Sequence, residues 1–362
     1  MITRRAPGKL FIAGEYAVLE PGQPAVVVAV DRYVSATVAQ SYSPTVVLTS
    51  TEHGDGRLCC RRDQDRLRPI NEPHANFDYV LAAVDVVERL VVERGLVPRA
   101  FELHTAGTDF VDSAGVKLGL GSSAAVTVAV IDALGEFYAL ELTPAQRYRL
   151  AMLATAAVNP HCSGGDVAAA TWRGWVAYRS PDRDWVGSLA AGRNIETALC
   201  CPWQGAAVEV LRPPRRVRLL AGWTGQAVST PAMIEQFRPG QATIPSSFRT
   251  DSAACVEGLI SALTVDDVTS VQHEIRRAAM LLDALDAVTE LGIKTPRLDA
   301  LCRGAALAGA AAKPSGAGGG DCGIAIVDRE RPDQADQVAK HWREAGIRLL
   351  PLHTLPTREG IR

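Results

Sequence analysis

Apolar residues fall into strand-like runs near the start of the chain and into helical spacing further on. Val26–Val30 and Val34–Val38 read as strands flanking Asp31-Arg32-Tyr33, with Pro21-Gly22-Gln23-Pro24 as a turn. Residues 39–75 mix short strand-like pieces with an arginine-rich stretch, Arg57 to Arg68, which predicts an exposed loop or hairpin. A helix over 76–94 ends at Gly95, and Phe101–Thr105 reads as a strand. Thr143-Pro144-Ala145 opens a helix running to about Val158, and Trp175–Tyr178 looks like a strand. Beyond residue 216 come a strand at Val217–Gly222, a helix starting near Ser229-Thr230-Pro231, and helices over roughly 251–263, 266–291 and 296–311. A strand at Ile324–Val327, a helix over about 332–345 and a strand over 347–352 close the chain. Strand groups mixed with helix groups predict an α+β fold rather than regular alternation.

The chain has 362 residues, which suggests two domains or one large one. Pro213-Pro214-Arg215-Arg216 is the best boundary, dividing 1–214 from 215–362. Hydrophobic residues make up 47% and charged residues 22%, enough apolar material for a sizeable core. A net charge of −2 offers no basic field for nucleic acid. No apolar run is long enough to span a bilayer, and the start lacks the apolar core of a signal peptide. These features predict a cytoplasmic protein without nucleic-acid or membrane partners, and they leave monomer or homodimer open. The eight cysteines lack metal-ligand spacing; Cys162 and Cys322 read as small packing residues. Of 38 basic residues only Lys9, Lys117, Lys294, Lys313 and Lys340 are lysine, and three of the five sit in or beside glycine-rich segments.

Those segments carry the candidate chemistry. Gly119-Leu120-Gly121-Ser122-Ser123-Ala124-Ala125 runs straight into a long apolar helix. Its glycines let a ligand approach the backbone, and Ser122 and Ser123 are natural N-cap residues. Unpaired amides at the positive end of the helix dipole then form an anion site. Lys9 sits where a turn meets a strand, either as a surface charge or as a ligand-facing cation. Asp166 follows Ser163-Gly164-Gly165 at the start of a helix, either as a plain cap or as a carboxylate held near a ligand. Ser315 to Gly323 has too many glycines for a simple connection and predicts a ligand-facing loop. A phosphate cradle, a lysine, an aspartate and a second glycine loop together meet the needs of phosphoryl transfer.

With these motifs in view, the chain resembles the GHMP kinase superfamily over essentially its whole length. The three motifs, Ala6–Leu19, Gly119–Ala125 and Ser315–Gly323, stand in the family's order. Within the superfamily it is most similar to bacterial-type phosphomevalonate kinases. Tyr16 stands where mevalonate kinases typically carry His, and Asp321 where they carry a further Gly. Gly222-Trp223-Thr224-Gly225 before Ser229-Thr230 also fits the phosphomevalonate kinase pattern, whereas Ala124-Ala125 replaces a frequent Gly-Ser.

The resemblance implies an N-terminal domain like ribosomal protein S5 domain 2 and a ferredoxin-like α/β-sandwich C-terminal domain, with the active site between them. It implies ATP and Mg²⁺ as cofactors and phosphomevalonate as acceptor, with mevalonate kinase or a non-catalytic ligand-binding protein as alternatives. Lys9 and Asp166 match the catalytic pair. Lys117, Gly119, Leu120, Gly121, Ser122, Ser123 and Ala124 would hold the ATP phosphates, with Ser122 or Ser123 at the metal. Asn76 and Phe77 fall on the adenine side. Lys9, Tyr16, Ser163, Gly164, Ala317, Gly318 and Gly319 would border the acceptor.

Overall fold

The computed structural model describes residues 1–51, 56–63, 66–72, 77–192, 194–228, 233 and 244–357. Two antiparallel strands, β1 (Ile2–Ala13) and β2 (Pro24–Gln40), form the spine of an eight-stranded sheet. The other strands are β3 (Val46–Ser50), β4 (Arg57–Asp63), β5 (Arg66–Pro69), β6 (Phe101–Ala106), β7 (Trp175–Arg179) and β8 (Ala207–Leu211). The order is β5-β4-β3-β6-β2-β7-β8, with β1 on β2; β3 and β6 run parallel and the remaining pairs antiparallel. The arginine-rich stretch is the β4–β5 hairpin.

Val26–Val30 and Val34–Val38 belong to one strand, not two. The polar Asp31-Arg32-Tyr33 between them lies where the pairing with β1 shifts register, between Pro7 and Gly8. An irregularity of this kind adds residues on one strand without ending it.

Helices α1 (Asp78–Glu93), α2 (Ser122–Phe137), α3 (Pro144–Val158) and α4 (Gly165–Trp172) pack with this sheet, followed by α5 (Arg183–Ala191) and α6 (Ile195–Cys200). The centre is α2, which touches β1, β2, α1, α3 and α4 and is buried on nearly every side, as its continuous apolar sequence requires. Thr143 and Gln146 cap α3 reciprocally, with Pro144 in the first turn.

The second sheet comprises β9 (Val217–Trp223), β10 (Ala311–Pro314), β11 (Cys322–Asp328) and β12 (Arg348–Leu350), in the antiparallel order β10-β11-β9-β12. Alternate residues of β11 face opposite sides. Ile324 and Ile326 join the main core, which includes Val256 of α7 (Ser246–Thr264) and Ile275 of α8 (Val268–Thr289). Ala325 and Val327 join a second core with Leu301 of α9 (Pro296–Leu307) and Trp342 of α10 (Pro332–Glu344).

The helix expected over 296–311 ends at Leu307. The chain turns at Gly309, where Ala310 N–H bonds back to Ala305 O at 2.9 Å, and the remaining alanines enter β10. The helix expected near Ser229 lies outside the described residues. Among the described residues, no helix is long and apolar enough to cross a membrane.

Candidate active site

The end of β1, the starts of α2 and α4, and the loop between β10 and β11 converge on a cleft of about 480 Å³. Lys9, Tyr16, Lys117, Gly119–Ser123, Ser163, Asp166, Ala317 and Asp321 all line it.

The α2 loop is shaped by close approach. Gly119 and Gly121 both have left-handed backbones, φ 74° and 78°. A Cβ on Gly119 would lie 2.4 Å from Asp321 Cγ, and one on Gly121 would lie 3.0 Å from Lys9 Cε. Only glycine lets the loop take this turn against those two side chains. Gly121, not Ser122 or Ser123, is the N-cap of α2, and no side chain caps the helix. This corrects the capping expectation: Gly121's backbone makes the cap turn, and the two serines occupy the first helical positions, facing the cleft. The first-turn amides have no carbonyl acceptors within the helix, so the anion-binding character remains. Ala124 is buried and can offer only its backbone.

Lys9 is half-buried. Its N–H donates to Leu120 O at 2.9 Å, joining β1 to the loop. The side chain runs along Gly121, and the ammonium lies 5.4 Å from the Phe11 ring centroid. Asp166 stands in the first turn of α4, where Oδ1 accepts from Val167 N–H at 2.9 Å, and it also faces the cleft. Gly164, not Asp166, is the N-cap of α4, and no side chain caps the helix, so the plain-cap reading of Asp166 does not hold; its carboxylate lines the cleft.

Of the cleft residues, Phe110 and the polar pair Tyr79 and Asn159 carried no signal in the sequence. Burial, then Asp166 and Cys162, pushes the Tyr79 hydroxyl up to about 12, against hydrogen bonds with Ser123 and Asn159. Phe77, expected on the adenine side, is buried in the main core and does not line the cleft. Its side chain is needed inside, and Tyr79 faces outward instead; Asn76 lies outside the described residues.

On the third motif, Gly316, Ala317 and Asp321 line the cleft, whereas Gly318 and Gly319 turn away. Gly319 N–H donates to Ile293 O at 2.8 Å, and a Cβ on Gly318 would strike that same carbonyl. Gly164 likewise packs inward, against Met152 and Tyr178, while Ser163 faces the cleft. Asp321 fastens the loop to the segment after β9: Val228 N–H donates to Oδ1 at 3.0 Å and Thr224 N–H to its carbonyl at 2.9 Å. Burial raises the Asp321 carboxyl above its usual range, opposed by the Val228 N–H and by Lys9.

The Tyr16 hydroxyl donates to Ala317 O, and burial, then Asp286 and Glu15, pushes it well above its usual range. Lys313, fully buried, meets the carboxylate of Glu15. Burial raises the thiols of Cys162, to about 12, and of Cys322; both pack in the core. Among the described residues, no three His, Cys, Asp or Glu side chains cluster as a metal site.

This arrangement, two lysines and an amide-lined helix start facing a glycine loop across a cleft, can hold two anionic ligands against each other. The model for the GHMP kinases N terminal domain matches residues 78–174, and that for the GHMP kinases C terminal matches 259–348. A phosphomevalonate kinase of Streptomyces sp. (strain CL190) is 44% identical, over 99% of this chain and 98% of its own. A solved protein of Listeria innocua superposes with a TM-score of 0.89 at 30% identity, covering 99% of both chains. The Streptococcus pneumoniae phosphomevalonate kinase, solved in complex with phosphomevalonate and AMPPNP, superposes at 0.85 and 29% identity, over 98% of this chain and 100% of that one. The chain belongs to the GHMP kinases.

Proposed function

We propose that this protein is an ATP-dependent phosphomevalonate kinase, converting (R)-5-phosphomevalonate to the 5-diphosphate in the mevalonate route to isoprenoids. The observation that carries the reading is the position of Lys9. Its stem packs on Gly121 of the phosphate loop, and a Cβ on Gly316 would lie 3.9 Å from its Nζ. One ammonium thus stands between the loop for the donor and the loop for the acceptor. Residues 1–214 and 215–362 form the two domains, and the relatives named above support the substrate assignment.

The chemistry follows from charge. The second pKa of a phosphate monoester is about 6, so the acceptor's phosphate group is largely dianionic at neutral pH. An acceptor phosphate oxygen bonds to the γ-phosphorus of ATP as the bond from that phosphorus to the β–γ bridging oxygen breaks, releasing ADP. No proton has to be removed to make the nucleophile. The difficulty is repulsion: two unit charges ~4 Å apart repel by about 4 kcal/mol at an effective dielectric near 20. Lys9 offsets this between donor and acceptor, Lys117 assists at the loop, and Asp166 orients Lys9 and the acceptor. The first-turn amides of α2 hold the ATP phosphates. Tyr16, Ser163 and Ala317 border the acceptor.

A Mg²⁺ ion fits this donor set. It takes hard oxygen ligands, keeps several waters and leans on substrate phosphates rather than on a protein cage. The Ser122 and Ser123 hydroxyls line the cleft and are not used as helix caps. When bound there, the ion would neutralise phosphate charge.

ADP release measured with phosphomevalonate, with mevalonate and without acceptor tests the assignment. Turnover confined to phosphomevalonate is expected. Turnover on mevalonate alone would make this a mevalonate kinase, and ATP binding without turnover on either would make it a ligand-binding relative.

A further inference from the structure

Three consecutive residues of the third motif are tied to the end of β1 and the turn after it. Ser315 Oγ accepts from Phe11 N–H and donates to Phe11 O, both at 2.9 Å. Gly316 N–H donates to Glu15 Oε1 at 3.4 Å. Ala317 O accepts from the Tyr16 hydroxyl. Behind them, the Lys313 ammonium bonds both the Glu15 carboxylate and Pro314 O. Lys9 lies two residues before Phe11 on the same strand.

A carboxylate beside a cleft built for polyanions repels its ligands unless its charge is met close by. Lys313 meets it from the protein interior, without entering the cleft. A buried ion pair is a weak source of stability compared with an apolar pair of similar volume. What this one supplies is a fixed distance between the turn after β1 and strand β10 of the other sheet.

We infer that Glu15, held by Lys313, is a positioning residue that sets the 315–317 loop over Lys9 and thereby aligns the acceptor for in-line transfer. The inference rests on the proposed kinase reading. Donor contacts come from α2 and its loop, so disturbing Glu15 acts on the acceptor side.

The test is made on the full chain, with kcat and both KM values read beside thermal melting. The double variant Glu15→Gln/Lys313→Met removes both charges at once, so no charge is left buried alone. It is expected to stay folded, with kcat/KM for the acceptor down about 10–100-fold and the KM for ATP little changed, as for an acceptor misplaced by about 1 Å. Wild-type kcat/KM for the acceptor, or a KM for ATP that rises as much as the acceptor kcat/KM falls, would overturn the inference. Glu15→Asp keeps the charge but draws the carboxylate back by one methylene. It is expected to show the same acceptor-selective loss, and wild-type kinetics would again contradict the role. Should neither variant fold, the pair determines the fold and the positioning role falls. The acceptor is whichever one the wild type uses, so a wrong substrate assignment shows in the wild type and a wrong positioning role only in the variants.

Discussion

Glu15 and Lys313 meet in the interior with side-chain exposures of 4% and 0%, although 298 residues separate them in the chain. One belongs to the turn after β1 and the other to β10, so the contact joins the two sheets. Removing one partner leaves a buried charge uncompensated. Lys313→Met or Glu15→Gln alone is therefore expected to cost about 3–5 kcal/mol, whereas the double variant recovers most of that stability. Urea unfolding of the three variants measures this, and single variants as stable as the wild type would contradict it.

Gly119 faces Asp321 too closely for any side chain. Gly119→Ala adds a Cβ at 2.4–2.6 Å from Asp321 atoms, on a residue whose φ of 74° already disfavours it. A loss of about 1–3 kcal/mol is expected, together with a raised KM for ATP. Adding Asp321→Ala removes the clash but not the backbone strain, so stability is expected to return only in part. Unfolding curves that match the wild type would show that the loop shifts freely.

Asp321 also gives a pH dependence. Its carboxyl is raised in the folded state, chiefly by burial. The folded protein therefore keeps this proton at pH values where the unfolded chain has lost it. The associated stability is complete below about pH 4, the ordinary carboxyl range, and is lost as pH rises through the raised folded value. Asp321→Asn keeps an acceptor for the Val228 N–H and cannot ionise. It is expected to melt above the wild type at pH 7, with the gap closing below about pH 4. A gap that does not depend on pH would refute this source.

What was legible in the sequence was local. Glycines and serines at 119–123 and 315–321 mark loops because few other residues tolerate such backbones, and they led to the cleft together with Lys9 and Asp166. The alanines at 305–311 read as part of one helix because propensity does not reveal where sheet pairing takes over; Gly309 was the stop signal nearest the observed end. Phe77 and Tyr79 stand two residues apart in a helical pattern, and nothing local says which of the two aromatics is buried. The Glu15–Lys313 pair was invisible, since only the meeting of the two sheets brings those residues together. Lys313 stood out only as one of five lysines in an arginine-rich chain and as the residue that opens the third glycine-rich segment.

On the proposed reading, charge neutralisation by Lys9, rather than proton removal by Asp166, drives transfer to a phosphate acceptor. Lys9→Met and Asp166→Asn are compared at saturating ATP and phosphomevalonate, over pH values where the acceptor's phosphate group remains dianionic. Lys9→Met is expected to lower kcat by about 10³-fold or more, the scale of losing a cation from a phosphoryl-transfer site, and Asp166→Asn by clearly less. A far larger loss for Asp166→Asn across that range would contradict the account and make the aspartate the principal catalytic group.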